Sequence, residues 1–241
     1  MAAIQAFRES EERIYRERFR RMAPQIRKEG FKADPVFANQ RSGVLIAFLP
    51  DPYTAWCMRQ VIASVNTAVQ AYGVPVSVYG AEVFHSTISG YQATDGAPVG
   101  LETRGSTIDD TLQPAIAHAI KTLPRITRNR CAIKYHHRLL CNPTTVIAPG
   151  EPNEEWLLIV ERLIARCKNA GITLRKPWGA HMTLARFTAN YRPSSFNGFL
   201  GALAKINPDA VLRPRSIGIG IFTCSTDGDF RVDWRCKIQL R

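Results

Sequence analysis

Two short segments of the chain have the same form, Phe84-His85-Ser86-Thr87-Ile88 and Ala180-His181-Met182-Thr183-Leu184. On a strand, successive side chains alternate faces, so His85 and Thr87 share one face while Phe84, Ser86 and Ile88 take the other. His181 and Thr183 are related in the same way. A lone histidine in an apolar run is usually a satisfied core or edge residue, but two copies offer two imidazoles and two hydroxyls that can converge on one cleft. Cleaving a phosphodiester needs a base to take a proton from the attacking oxygen, an acid to protonate the departing one, and donors for the non-bridging oxygens. Histidine does either proton job near neutral pH, and threonine supplies a donor. His85, Thr87, His181 and Thr183 are therefore the candidate catalytic set. The sequence does not say which histidine is the base, and the set requires no metal or other cofactor.

The remaining chemistry-bearing residues give weaker signals. Tyr91, Trp178 and Phe187 lie closest in sequence to the two motifs and are candidates to stack on a base, with core packing as the competing role. Phe187 shares the face of His181 if the strand runs on without interruption. His136 and His137 sit beside Lys134, Tyr135 and Arg138 on an expected strand, so they face opposite ways, as a phosphate-binding rim or as an exposed basic strand. His118, among alanines on an expected helix, has no evident chemical role. Gly218 and Gly220 alternate with isoleucines, which allows a close approach of backbone or ligand, or a bend in the sheet.

Charge points the same way as the motifs. Lysine plus arginine number 32 against 20 acidic residues, a formal +12, which concentrates polyanions around the protein. Nucleotide or RNA substrates are favoured over neutral ligands. With 241 residues and 45% hydrophobic composition the chain can bury a large core and is not a disordered tail. The six cysteines form no C-x-x-C pair, which argues against a zinc site or a disulfide framework. Residues 1–20 lack the apolar core of a signal peptide, and no apolar run is long enough to span a bilayer. The expected setting is reducing, soluble and cytoplasmic, without membrane attachment, and no feature calls for an obligate protein partner.

Elements must then bring the two motifs together. Residues 1–42 read as a separate extension. Ile4, Phe7, Ile14, Tyr15, Phe19, Met22 and Ile26 recur at helical spacing, predicting an amphipathic helix kinked at Pro24 and then a loop through Pro35. From residue 43 strands and helices alternate. Val44–Leu49 is a continuous apolar strand, and Asp51-Pro52 supplies an N-cap and an N1 proline for a helix ending at Gly73. After the first motif strand, Thr107-Ile108-Asp109-Asp110 resembles a capping box. Residues 130–140 and 143–148 read as paired strands, Asn153 caps a helix ending at Gly171, and the second motif strand follows. A shorter helix near 194–206 leads to a hairpin that turns at Asp227-Gly228.

The early strand Val44-Leu45-Ile46-Ala47-Phe48-Leu49-Pro50, both His-x-Thr segments, the run His181-Met182-Thr183-Leu184-Ala185-Arg186 and the closing hairpin together resemble the two-histidine (2H) phosphoesterases, which include the LigT-like RNA 2′,3′-cyclic phosphodiesterases. The resemblance covers roughly residues 43–241. It implies an α+β fold with two lobes, in which two largely antiparallel sheets face a central cleft, helices lie outside, and each lobe contributes one motif strand. Because such lobes interleave in sequence, 43–241 is taken as one domain. The implied activity is metal-independent hydrolysis of a 2′,3′-cyclic phosphate or of a related 2′-linked or cyclic oligonucleotide. A non-catalytic RNA or nucleotide-binding module that keeps the cleft is the alternative. Two positions depart from the family's usual pattern. Ala180 stands where proline is common, and Ser86 stands where an apolar residue is usual.

Overall fold

The computed structural model describes residues 2–20, 22–38, 42–90, 112–124, 130–135, 137–192 and 194–240. The chain opens with helices α1 (Ala2–Arg20), α2 (Met22–Glu29) and α3 (Pro35–Ala38). Strand β1 (Ser42–Leu49), helix α4 (Pro52–Tyr72), strand β2 (Val76–Val78), a 3-10 turn (Ala81–Val83) and strand β3 (Ser86–Gly90) follow. Next come α5 (Leu112–Lys121), β4 (Ile133–Tyr135), β5 (Leu140–Cys141), β6 (Thr145–Ala148), β7 (Glu151–Pro152) and α6 (Glu154–Asn169). The last elements are β8 (Met182–Phe187), α7 (Phe196–Ala204), β9 (Ala210–Leu212), β10 (Ser216–Cys224) and β11 (Phe230–Gln239).

The described strands form three sheets, ordered β11-β10-β1-β3, β2-β8-β6-β5 and β7-β4-β9. Their pairings are antiparallel, so the fold is α+β as expected. The first motif belongs to β3, on the edge of the first sheet, and the second to β8, inside the second sheet. From Val44 to Phe48 β1 is apolar because both its faces are covered. Val44, Ile46 and Phe48 point into the main core, while Leu45 and Ala47 join Val36, Phe37, Phe222 and Cys224 in a second cluster.

Local signals set most boundaries. The Asp51 carboxylate accepts from the N–H groups of Tyr53 (3.0 Å) and Thr54 (3.2 Å), with Pro52 at the first helical position. Gly73 closes α4 in the left-handed conformation at φ 59°. Asn153 caps α6 by accepting from Trp156 N–H at 3.1 Å. Phe31 and Asp34 donate their amides to the carbonyls of Tyr191 and Phe187, which ties the amino-terminal segment to the end of β8. Ile4, Phe7, Ile26 and Phe31 are buried in the main core.

The described residues 2–20 and 22–29 are helical, as the periodicity predicts, and residue 21 between them lies outside the described residues. Two expectations need correction. Pro35 begins the short α3, not a loop. The run 130–140 splits between sheets. β4 pairs with β7 and β9, and only Leu140-Cys141 pairs with β6, across a turn in which the Asn142 side chain accepts from the Thr144 (2.8 Å) and Thr145 (2.7 Å) amides. The expected capping box at Thr107–Asp110 lies outside the described residues.

Candidate active site

Each His-x-Thr segment is built in the same way. The histidine stands one residue before its strand, the threonine is the second strand residue, and a β-bulge follows at the next apolar residue. Thr87 pairs with Ala47 and Ser89 with Ile46, leaving Ile88 unpaired. Thr183 pairs with Ile147 and Ala185 with Val146, leaving Leu184 without a partner on β6, while its carbonyl accepts from the Tyr79 amide at 2.8 Å. A bulge interrupts the alternation of faces and re-aims the side chains beyond it. In both motifs the histidine and threonine stay half-buried while their apolar neighbours are buried.

All four motif side chains line one cavity of about 400 Å³. Leu45 and Phe222 of the first sheet contribute apolar surface to it, Trp178 and Gly179 precede His181 along another wall, and Arg175, Lys176 and Arg186 bring positive charge. No carboxylate is among the described residues lining it. The field inside therefore favours an anion.

The two imidazoles sit in different surroundings. Nδ1 of His85 lies 2.6 Å from the Val83 carbonyl oxygen. A carbonyl can only accept, so Nδ1 carries the proton and the neutral ring presents the Nε2 lone pair. Burial pushes the His85 pKa down to about 4, helped by the nearby Arg186 charge and opposed by the Val83 carbonyl. The Trp234 ring stands edge-on to His85, with centroids 6.0 Å apart. His181 is instead stacked on Trp178, at 4.0 Å between centroids and 29° between planes. Its neighbour Ala180 donates its amide to the Glu11 carboxylate at 2.6 Å.

Arg186 is fixed before any ligand arrives. Its guanidinium pairs with Asp34, which is buried, and donates from Nε to the Tyr79 hydroxyl. Its charge also lies over the Tyr79 and Phe230 rings, at 6.0 and 5.8 Å from their centroids. A charge-assisted fork held from behind leaves the remaining donor capacity for the cavity.

The structure brings His85, Thr87, His181, Thr183 and Trp178 together around this cavity. It does not bring Phe187 there. The bulge at Leu184 turns Phe187 to the opposite face, where it is fully buried and stacked on Phe31 at 4.2 Å, and Arg186 takes the cavity-facing place. Tyr91 and His136 lie outside the described residues. His137 lines a different cavity, beside α1. Gly218 and Gly220 serve a close approach: an added Cβ would meet the Trp234 ring at 2.6 and 2.9 Å. Sequence reasoning missed Arg186, Asp34, Tyr79 and Lys176 as site residues. The conspicuous signal among them is Arg186, an arginine in the apolar run that follows Thr183 in β8. Among the described residues no group of three or more His, Cys, Asp or Glu side chains is placed to hold a metal ion. No described helix is long and apolar enough to cross a membrane.

In sequence, no protein-family model and no curated relative matches the chain. Solved structures do match in fold. TT0787 of Thermus thermophilus superposes with a TM-score of 0.55 at 16% identity, over 83% of this chain and 98% of that one. E. coli LigT complexed with ATP gives a TM-score of 0.45 at 10% identity, over 83% and 99% of the two chains. A protein described as a phosphoesterase gives 0.47 at 12% identity, over 83% and 98%. The chain shares the fold of TT0787.

Proposed function

We propose that the protein is a two-histidine phosphodiesterase that opens a 2′,3′-cyclic phosphate, or a related 2′-linked or cyclic oligonucleotide, in the cytoplasm and without a metal or other cofactor. The observation that carries this reading is that both His-x-Thr pairs line one cavity with three cationic side chains and no described carboxylate. His85, neutral at physiological pH with Nε2 unprotonated, takes the proton of the attacking water as the new P–O bond forms. His181 gives a proton to the departing ribose oxygen as the old P–O bond breaks. Thr87, Thr183 and Arg186 hold the non-bridging oxygens, where negative charge is greatest in the transition state. The product is a phosphomonoester on the 2′ or 3′ oxygen, and Trp178 offers a face for the base.

A mass-spectrometric screen of 2′,3′-cyclic nucleotides, 2′,5′-linked oligoadenylates and cyclic oligonucleotides tests the proposal by recording which phosphate bond opens. Turnover of one class, abolished by His85→Ala, supports it. Tight binding of these compounds with no turnover would replace the enzyme by a nucleotide-binding module.

A further inference from the structure

We infer that Glu11 of α1 is a positioning residue for His181, so that the amino-terminal helix completes the active site from behind. The inference rests on the reading of His181 as a reacting group.

Glu11 is 4% exposed. Its Oε1 accepts from the Ala180 amide at 2.6 Å and from the Tyr15 hydroxyl at 3.0 Å. The nearest cation on its own helix is engaged elsewhere: the Arg8 guanidinium donates to the Pro152 carbonyl at 2.9 and 3.1 Å and pairs with Glu151 at 3.3 Å. A carboxylate buried on neutral donors is expensive, and the expense shows in a pKa raised to about 7 by burial. What the carboxylate holds is the amide of Ala180, the residue immediately before His181.

The fit around that peptide is close on both sides. An added Cβ on Gly179 would stand 2.7 Å from Glu11 Oε1, and one on Gly150 would stand 2.0 Å from the Ala180 carbonyl oxygen. The donor exists because residue 180 is alanine; proline has no N–H to give. α1 also reaches the imidazole by a second route. The Tyr15 ring meets Trp178 edge-on at 5.5 Å, and Trp178 is the ring stacked on His181. One helical turn thus fixes the backbone before His181 through Glu11 and the ring through Tyr15 and Trp178. A loop histidine held at two points keeps the geometry that proton transfer needs, where a misplacement of about 1 Å costs on the order of 10² in rate.

Reach and charge are separated by two conservative variants. Glu11→Gln keeps an oxygen at the same reach without the charge. Glu11→Asp keeps the charge and withdraws the oxygen by one methylene. If Glu11 positions His181, Gln retains kcat within about 3-fold, whereas Asp loses about 10-fold or more in kcat with KM little changed. In two-dimensional NMR spectra the Ala180 amide and the His181 ring signals shift in Asp and stay near their wild-type places in Gln. Asp matching wild type in kcat and in those signals, or Gln losing as much as Asp, overturns the inference. Absence of turnover in the wild type refutes the phosphodiesterase reading instead. The NMR comparison then still decides Glu11, with unmoved signals in Asp counting against it.

Discussion

Half-buried His85 and buried Glu11 titrate in opposite senses over the same pH window, and their effects on stability should cancel in the wild type. His85 has an ordinary value of 6.5 and is pushed down to about 4 in the fold. Between these values the unfolded chain binds a proton that the native state does not, so the His85 contribution makes stability rise with pH. Glu11 has an ordinary value of 4.5 and is pushed up to about 7. Between these values the native state holds the proton and the unfolded chain does not, so stability falls as pH rises. Near pH 5.5 each group differs by about 0.9 proton between the two states, which gives slopes of about +1.2 and about −1.2 kcal/mol per pH unit. Glu11→Gln should therefore expose a rise of about 1 kcal/mol per unit relative to wild type, and His85→Asn a fall of similar size. Urea denaturation followed by circular dichroism at several pH values between about 4.5 and 7 reads both slopes, and ionisations common to all three proteins drop out of the differences. Wild-type slopes in both variants, or changes of the same sign, would refute the assignment of these two groups as the opposed pair. The result does not depend on the substrate.

Other outcomes follow from the cavity. His85→Ala and His181→Ala should each lower turnover by about 10² or more, and the double variant should lose less than the product of the two, as groups acting in one step do. The profile of kcat/KM against pH should be bell-shaped, its acid limb falling towards about pH 4 as His85 takes up a proton. Prolonged EDTA treatment should leave turnover intact, and a loss restored by one divalent ion would mean that the proton chemistry assigned to the histidines is wrong. Asp34→Ala should destabilise the fold by about 3 kcal/mol in denaturant titrations, because it strips the buried partner from Arg186. An effect below about 1 kcal/mol would show that Arg186 is solvated through the cavity.

What was legible in the sequence was whatever depends on near neighbours. The Asp51 cap, the left-handed Gly73, the Asn153 cap and the alternation of Ile217, Ile219 and Ile221 each rest on contacts within a few residues or on a strict period. The split of 130–140 was not legible, because β4 and β5 are adjacent in sequence but enter different sheets, a choice made by partners as distant as β9. The same limit hid the cover over the second face of β1. Val36 and Phe37 of α3 supply it, a contact made between segments that only the tertiary fold brings together.

The site divides along the same line. His85, Thr87, His181 and Thr183 could be paired from sequence because each histidine and threonine lie two residues apart, before the bulge breaks the count. One residue later the alternation no longer applies, so Phe187 read as cavity-facing, whereas it is buried and Arg186 lines the cavity. The register shift has a chemical consequence as well as a geometric one. An unbulged β8 would turn a guanidinium into the packing around Phe31 and Phe199 and a phenyl ring into an anion-receptive cavity, which costs on both counts. With the bulge, Arg186 reaches Asp34 and Tyr79 and still fronts the cavity, while Phe187 completes the aromatic stack that fastens the amino-terminal segment. The one-residue bulge at Leu184 thereby sets both the charge facing the histidines and the attachment of the segment that carries Glu11.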